Sequence, residues 1–275
     1  MIKTEVRQSI DPRFAKGMDT DGLRKEFLND NMFVEDQISL IYSHLDRMIV
    51  GGAVPKASSL VLDQVKETGS PGFLDRREAV IVNIGGDGVV AVEGHSYNMN
   101  TYDMLYIGMG SDPITMSGEN SKFYIISAPA HRKIETRLVS IANAATIELG
   151  SKETFNERVI YQLVHPDVMD SCQLVVGMTK LSIGSVWNTM PAHVHDRRSE
   201  AYLYVDLPED QRVFHFMGEP NETRHIVMKN HQGVLSPGWS IHSGAGTSNY
   251  SFIWAMAGDN VDYKDVDMVA MEDLR

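Results

Sequence analysis

The fold of this chain is indicated by residues 184–200, which read GSVWNTMPAHVHDRRSE. Within them, His193 and His195 form an H-x-H pair, and Glu200 follows after four intervening residues. Side chains two residues apart in a β-strand point to the same side, so we expect the two imidazoles to share one space. A short turn then delivers the Glu200 carboxylate. This stretch predicts a group of metal-type donors on a β-rich scaffold.

A second segment, residues 233–242, reads GVLSPGWSIH and places a Pro-Gly turn ahead of His242. Three neutral imidazoles and one carboxylate make a good site for a divalent transition metal, with open positions left for water or substrate. An H-x-H pair alone occurs often by chance, and a lone histidine is usually structural. The combination of pair, glutamate and distant histidine favours metal binding, with His193, His195, Glu200 and His242 as candidate ligands.

The sequence around these segments consists of short apolar runs separated by Gly, Pro, Asn and Asp, which predicts many short strands in a barrel or sandwich. Four such runs are residues 79–84 (AVIVNI), 123–126 (FYII), 201–205 (AYLYV) and 252–256 (FIWAM). Helix signals are few. The best is the acidic cap at residues 19–21, which leads into residues 22–28.

An internal repeat indicates two halves. The string DRRE ends at Glu78 and DRRSE ends at Glu200, each ahead of a β run; a second equal spacing aligns Tyr106 with His242. We therefore predict one β-barrel over residues 1–140 and another over 141–275, with residues 133–170 as the connection. No histidine pair precedes Glu78, so the N-terminal barrel is expected to lack a metal site.

Composition restricts the function further. The chain has 275 residues, a formal net charge of −12 and a single cysteine. That charge argues against a general binder of nucleic acids or anionic membranes, because phosphate neutralisation needs a basic surface. One cysteine excludes an internal disulfide framework and a Cys-rich zinc module. With no long apolar run and no apolar secretory segment, a cytoplasmic location is expected.

The two histidine-containing segments fit H-x-H-x4-E and G-x3-P-G-x3-H, and in this β-rich context they resemble the two motifs of the cupin superfamily. The resemblance implies an all-β bicupin. Its fold would be two tandem cupin-type β-barrels, each a double-stranded β-helix or jelly roll, with few short helices. The domain with residues 141–275 would bind the metal.

Longer strings are similar to the 5-keto-4-deoxyuronate isomerase family of cupins. They occur in the family's order along the whole chain and include WNTMP at 187–191, ETRHIVM at 222–228 and SPGWSIHSG at 236–244. The resemblance implies a hexameric, zinc-dependent ketol-isomerase of pectin and uronate breakdown. It would convert 4-deoxy-L-threo-5-hexosulose uronate, a small anionic sugar acid, to 3-deoxy-D-glycero-2,5-hexodiulosonate. The family's metal ligands fall on His193, His195, Glu200 and His242.

The ligand set alone leaves other functions open. With Fe(II) the same residues can serve a cupin dioxygenase, and a non-enzymatic sugar-acid-binding cupin or a purely structural metal is also compatible. The sequence identifies no general base and no residue for the substrate carboxylate. The nearby titratable side chains are Tyr202, Tyr204, His215 and His225, and the nearest cations are Arg197, Arg198 and Arg224.

Overall fold

A computed structural model describes all 275 residues of the chain. Its strands are β1 (Ile2–Arg7), β2 (Leu28–Asn29), β3 (Ile38–Ser43), β4 (Ile49–Ala53), β5 (Leu60–Leu62), β6 (Arg77–Asn83), β7 (Gly88–Val92), β8 (His95–Met99), β9 (Met104–Ile107), β10 (Ile114–Ser117), β11 (Phe123–Pro129), β12 (Arg137–Val139), β13 (Ala145–Leu149), β14 (Arg158–Val164), β15 (Val175–Leu181), β16 (Trp187–Asn188), β17 (His193–Val194), β18 (Arg198–Val205), β19 (Val213–Glu219), β20 (Glu222–Met228), β21 (Gly233–Ser236), β22 (Ser243–Gly246), β23 (Ser251–Gly258) and β24 (Asp267–Met268). The helices are α1 (Pro12–Ala15) and α2 (Thr20–Phe27), with 3-10 turns at Lys66–Thr68, Ile141–Asn143 and Met271–Asp273. The predicted all-β class with few short helices is confirmed.

The strands form two β units of closely similar topology. In the first, a seven-stranded sheet has the order β1-β3-β4-β11-β6-β9-β12 and a four-stranded sheet has the order β5-β10-β7-β8. In the second, the corresponding orders are β13-β14-β15-β23-β18-β21-β2 and β16-β22-β19-β20, with β17 and β24 as an additional pair. Strand β6 lies between β11 and β9 as β18 lies between β23 and β21, so the repeat seen in the sequence recurs in the fold.

The two compact units do not follow a single cut at residue 140. The first contains residues 1–8, 31–145 and 163–176, and the second contains 9–30, 146–162 and 177–275. The segment 133–170, expected as a connection, carries β12, β13 and β14. The chain does cross between the two units within this segment, at 145/146 and 162/163. Weak periodicity gave no indication of β13 because this strand is largely exposed and therefore shows no alternation of apolar and polar residues.

Helix α2 begins where the sequence predicts it. The Asp19 side chain accepts a hydrogen bond from the Gly22 N–H at 2.8 Å, which satisfies one of the free donors of the first turn. The helix buries Leu23 and Phe27 and ends as the chain enters β2. No helix in the structure has the length and apolar character that crossing a membrane requires.

The first unit encloses an apolar core to which alternate residues of its strands contribute. Ala79 and Ile81 of β6 pack in this core with Ile107 of β9 and Ile125 of β11. Because successive side chains of a strand point to opposite faces, Glu78 must face away from this core. The orientation of Glu78 decides its role below.

Asp112, at the edge of this core, carries a carboxyl group that is poorly solvated. One oxygen accepts the Leu74 N–H at 2.7 Å, and the other is buried without a partner. Burial, with the nearby charges of Asp75 and Asp63, raises the pKa of Asp112 to about 6. In the unfolded chain, an aspartate carboxyl group has a pKa near 4. Because the folded state binds this proton more tightly, the contribution of Asp112 to the free energy of unfolding is greatest below pH 4 and is lost as pH rises through 6.

We therefore expect Asp112→Asn to stabilise the protein at pH 7. The amide oxygen still accepts the Leu74 N–H, while the unfavourable charge is gone; partial exposure limits the gain to about 1 kcal/mol. Urea unfolding at pH 7 and pH 4 measures the effect, with wild type at both pH values as the reference. The difference between variant and wild type should vanish at pH 4, and an equal difference at both pH values contradicts the explanation.

Candidate metal centre

The four candidate ligands come from three adjacent parts of the second unit. His193 lies in β17 and His195 just after it, Glu200 lies in buried β18, and His242 directly precedes β22. In the β18–β21 ladder Glu200 is opposite Ser236, so the turn that leads to His242 starts beside Glu200. The sheet register thus brings together residues that are more than forty positions apart.

Gly238 allows this turn to approach the histidine segment closely. The His195 N–H donates to the Gly238 carbonyl at 3.2 Å. A β-carbon at Gly238 would lie 2.9 Å from the His195 carbonyl oxygen and 3.1 Å from that of Arg198. Only a residue without a side chain fits here, which explains the glycine of the Pro-Gly turn.

The donor atoms of the four side chains converge. One ligand atom from each of His193, His195, Glu200 and His242 lies within 4.8 Å of the others. Glu200 Oε2 is 3.0 Å from His195 Nε2 and 3.1 Å from His242 Nε2, and the Nε2 atoms of His193 and His242 are 2.9 Å apart. His195, Glu200 and His242 are buried and His193 is half-buried.

Backbone carbonyls fix the protonation of two imidazoles. His195 Nδ1 lies 2.9 Å from the Arg198 carbonyl oxygen and His242 Nδ1 lies 3.3 Å from that of Ser240. A carbonyl oxygen only accepts, so each Nδ1 must carry the proton. In the neutral rings, both Nε2 atoms then present lone pairs toward the cluster, as metal-binding histidines do.

Burial keeps most of the cluster neutral. Burial and the neighbouring His195 lower the pKa of His193 to about 4. Burial, with His193 and His195 close by, lowers the pKa of His242 well below its usual value. Burial also disfavours a charged His195, but the hydrogen bond and charge of Glu200 outweigh it and raise the pKa of His195 overall.

The donor set fits a divalent cation. In the neutral rings, the Nε2 lone pairs of His195 and His242 face the Glu200 carboxylate at hydrogen-bond distance. Such acceptor–acceptor contacts are unfavourable in a buried site unless a proton, as the raised pKa of His195 allows, or a metal ion lies among them. Neutral imidazoles and one carboxylate are the donors that divalent transition metals bind in proteins. His193, His195, Glu200 and His242 can therefore hold one divalent metal.

The cluster opens into a cavity of about 390 Å³ in the second unit. His193 and Glu200 line it, and Tyr202, Phe252 and Trp254 form much of its wall. Its size suits a small ligand, and its mixture of aromatic walls with a few polar groups is typical of ligand sites.

The other titratable side chains near the motif are placed differently. Tyr202 lines the cavity, and its ring centroid is 5.7 Å from that of His242. Tyr204 OH lies 2.8 Å from Nδ1 of His215, which is fully buried. His225 is exposed on β20. Only Tyr202 of these four borders the cavity.

The three arginines nearest to the motif are occupied by protein groups. Arg197 forms salt bridges with Asp265 and Asp267. Arg198 donates to the backbone carbonyls of Asp262 and Asp265, and Arg224 pairs with Glu222. None of the three lines the cavity. Arg158 of β14 lines the cavity instead, and no pattern in the sequence predicted this position.

The glutamate of the first unit has a different environment from Glu200. The Glu78 carboxylate accepts the Tyr106 hydroxyl at 2.7 Å and the backbone N–H groups of Cys172, Gln173 and Leu174 at 2.7, 2.7 and 2.8 Å. Four donors therefore surround a carboxylate that is completely buried. Glu78 secures residues 172–174 to β6 and has no histidine beside it.

The sequence alignment of the two repeats was wrong in register. It equated Glu78 with Glu200 and Tyr106 with His242. Tyr106 lies within β9, next to β6, whereas His242 follows β21, the corresponding strand of the second unit. Glu78 also faces away from its core, while Glu200 faces the cavity. A shift of one residue in a strand reverses the face of every side chain, which accounts for the misalignment of Glu78 with Glu200. Tyr106 and His242 were misaligned because equal spacing along the sequence does not show where a strand ends.

The paired sheets of both units and the histidine–glutamate cluster in the second define the class of this protein as a bicupin with a candidate metal centre. Solved structures support the fold. An IolB-like protein from Salmonella typhimurium LT2 aligns with a TM-score of 0.68 at 15% identity, covering 94% of this chain and 91% of that one. An oxalate decarboxylase structure aligns with a TM-score of 0.56 at 10% identity, covering 80% and 70%.

The sequence model of the KduI/IolB family matches residues 27–273, and the chain belongs to this family. It is 59% identical to a 4-deoxy-L-threo-5-hexosulose-uronate ketol-isomerase of Cereibacter sphaeroides over the full length of both chains. It is 54% identical, again over both full lengths, to a protein of the same name from Agrobacterium fabrum. The expected family is confirmed, and these similarities support a ketol-isomerase activity for this chain.

Proposed function

We propose that this protein interconverts 4-deoxy-L-threo-5-hexosulose uronate and 3-deoxy-D-glycero-2,5-hexodiulosonate in the breakdown of pectin-derived uronates. The observation that carries the proposal is the donor cluster at the cavity wall, where His193 and Glu200 face the space that a small ligand can enter. Full-length identity of 59% to a relative bearing the name of this reaction supports the choice of substrate.

We infer further that His193, His195, Glu200 and His242 hold one Zn²⁺ ion. Bound there, the ion would polarise the substrate's carbonyl oxygen as a Lewis acid. With the ion bound, the three imidazoles would be neutral and Glu200 would supply one negative charge, so the site as a whole would have a net charge near +1. Nδ1 of His195 and Nδ1 of His242 keep their protons and donate them in hydrogen bonds to the backbone carbonyls of Arg198 and Ser240, which holds both rings in orientation.

The reaction needs no external oxidant. The aldehyde carbon and its oxygen each gain one hydrogen, while the neighbouring hydroxyl-bearing carbon and its oxygen each lose one, so the carbonyl group moves one carbon along the chain. The walls formed by Phe252 and Trp254 limit water at the reacting end. The Tyr202 hydroxyl, 3.3 Å from Thr189 Oγ1, borders the same space and can hydrogen-bond a substrate oxygen.

Turnover of the proposed substrate is the decisive test. Purified protein is incubated with the freshly prepared unsaturated-galacturonate product of a pectate-degrading lyase, and NMR follows the sugar acid. We expect the 2,5-diketo acid to form, to stop forming after chelation, and to form again when Zn²⁺ is restored. Metal analysis of the purified protein identifies the native ion. Absence of product with metal present contradicts the proposal.

Two controls separate the alternative functions. An isomerase turns over equally without oxygen, whereas an Fe(II)-dependent dioxygenase stops. A purely structural metal predicts that chelation abolishes activity only in step with the loss of the folded state, so melting is recorded on the same samples. We expect anaerobic turnover to be unchanged and the chelated protein to remain folded.

The hexameric state, which rests on the family resemblance, and the cytoplasmic location remain predictions. Light scattering coupled to size-exclusion chromatography tests the first. The chain mass is 30.7 kDa, so a hexamer would give a light-scattering mass near six times that value. A monomeric mass would contradict the expected assembly and leave the chemistry of the cluster untouched.

A further inference from the structure

We propose that Arg158 binds the carboxylate of the sugar-acid substrate. This inference rests on the proposed function and adds to it the residue that selects an acid over a neutral sugar. Arg158 and the metal-type cluster line the same cavity, and Arg158 is the first residue of β14. Ile160, two positions on, lines the cavity as well, as strand alternation requires for one face.

Few charged side chains line the cavity. Although the chain has a net charge of −12, Glu200 is the only carboxylate among the residues that line the cavity. Arg158 and Lys264 are the only lysine or arginine side chains there. With the proposed metal occupied by the aldehyde end of the substrate, the carboxylate must meet one of these two cations or lack a cationic partner, which is unfavourable in a partly desolvated site.

Arg158 is the better anion site of the two. It forms no salt bridge, and its hydrogen bond is from one guanidinium nitrogen to the Asn156 backbone carbonyl at 2.8 Å, which leaves most of its donors available. It is half-buried, and burial lowers its pKa while the guanidinium keeps its charge at neutral pH. Lys264 is exposed, where water and salt weaken an ion pair. A planar guanidinium also matches a carboxylate with two parallel hydrogen bonds.

The distance between Arg158 and the cluster suits the substrate's shape. The substrate's aldehyde and carboxylate lie at opposite ends of a six-carbon chain, so an anion site must lie away from the reacting end. β15 and β23 separate β14 from β18, which places the strand axes roughly 14 Å apart at about 4.8 Å per strand. The side chains of Arg158 and Glu200 extend into the cavity from these two strands and narrow the gap.

The test combines kinetics with direct binding. Arg158→Met removes the charge and keeps the length; we expect the KM for the uronate to rise roughly 10- to 100-fold, with a smaller change in kcat. Arg158→Lys should recover part of the loss. Arg13→Met is the matched control, because Arg13 is 83% exposed and paired with Asp11 on the surface of the same unit, and it should leave KM unchanged.

Calorimetric titration with D-galacturonate and D-galactose gives the second readout, since the two sugars differ only in the carboxylate. Wild type should prefer the acid by at least about tenfold, and Arg158→Met should bind both sugars alike. Unchanged metal content and melting of the variant exclude a folding defect. If wild type prefers the acid but does not turn over the uronate, the proposed function fails and the anion site stands.

Three outcomes overturn the inference. The first is a wild-type protein with no preference for galacturonate over galactose. The second is an Arg158→Met variant that keeps the preference or a KM within threefold of wild type. The third is a Lys264→Met variant that loses the preference while Arg158→Met retains it, which would assign the anion to Lys264.

Discussion

Replacing His242 by alanine is expected to remove the bound metal and to lower turnover of the uronate by about a thousandfold or more. His242 contributes one of four donor atoms in a buried cluster, and its Nε2 is 3.1 Å from Glu200 Oε2 and 2.9 Å from His193 Nε2. Loss of Lewis-acid stabilisation worth several kcal/mol corresponds to a rate loss of this size. Metal content and NMR-monitored turnover measure both effects.

His225→Ala is the matched control for this experiment. His225 belongs to the same unit but is exposed on β20 and lies outside the cluster, so its loss should leave metal content and turnover as in wild type. His242→Gln fills most of the space of the imidazole and guards against a cavity-induced folding defect. Full metal occupancy and full activity in both His242 variants would contradict the assignment of the ligands.

Replacing Glu78 by alanine is expected to destabilise the first unit by roughly 3–5 kcal/mol. The change leaves three backbone N–H groups and the Tyr106 hydroxyl without their acceptor in a fully buried place, and it opens a cavity as well. Thermal unfolding should shift down by about 10 °C. Hydrogen exchange should speed up most at Cys172, Gln173 and Leu174, whose amides donate to Glu78.

Glu35→Ala supplies the control for the glutamate experiment. Glu35 is 65% exposed and pairs with Lys56 on the surface of the same unit, so its loss should cost less than about 1 kcal/mol. The stability of Glu78→Gln should lie between those of the two alanine variants. Its amide oxygen accepts hydrogen bonds from some of the N–H groups, while its own amide N–H groups face the others unfavourably. Equal melting of the Glu78 and Glu35 alanine variants would refute the structural role.

Local sequence patterns predicted those strands and helices whose signal lies within a few consecutive residues. The apolar runs at residues 201–205 and 252–256 correspond to parts of β18 and β23, and the acid at Asp19 caps α2. Residues 133–170 do contain crossings between the two units, but they also carry strands that the sequence pattern did not predict. β13 is largely exposed, so its backbone pairing with β14, rather than alternation in the sequence, makes it a strand.

The candidate ligands could be selected from sequence because their residue types and spacings are rare in combination. The positions of Glu78 and Arg158 could not. The face that Glu78 presents depends on a strand register that one residue reverses, and the alignment of DRRE with DRRSE contained such a shift. Arg158 enters the cavity only because three ladder pairings place β14 in the same sheet as β18.

The −12 charge argued against a general polyanion binder, and the single cysteine excluded an internal disulfide framework and a Cys-rich zinc module. The two histidine motifs pointed to imidazole and carboxylate donors in an all-β fold. These conclusions depend on residue types and short spacings, which the linear chain carries. Contacts between distant strands decide the rest: which cations have no carboxylate partner, which glutamate is enclosed by N–H donors, and which glutamate faces a cavity. Those contacts exist only after the sheets have formed, because sheet register and burial decide them.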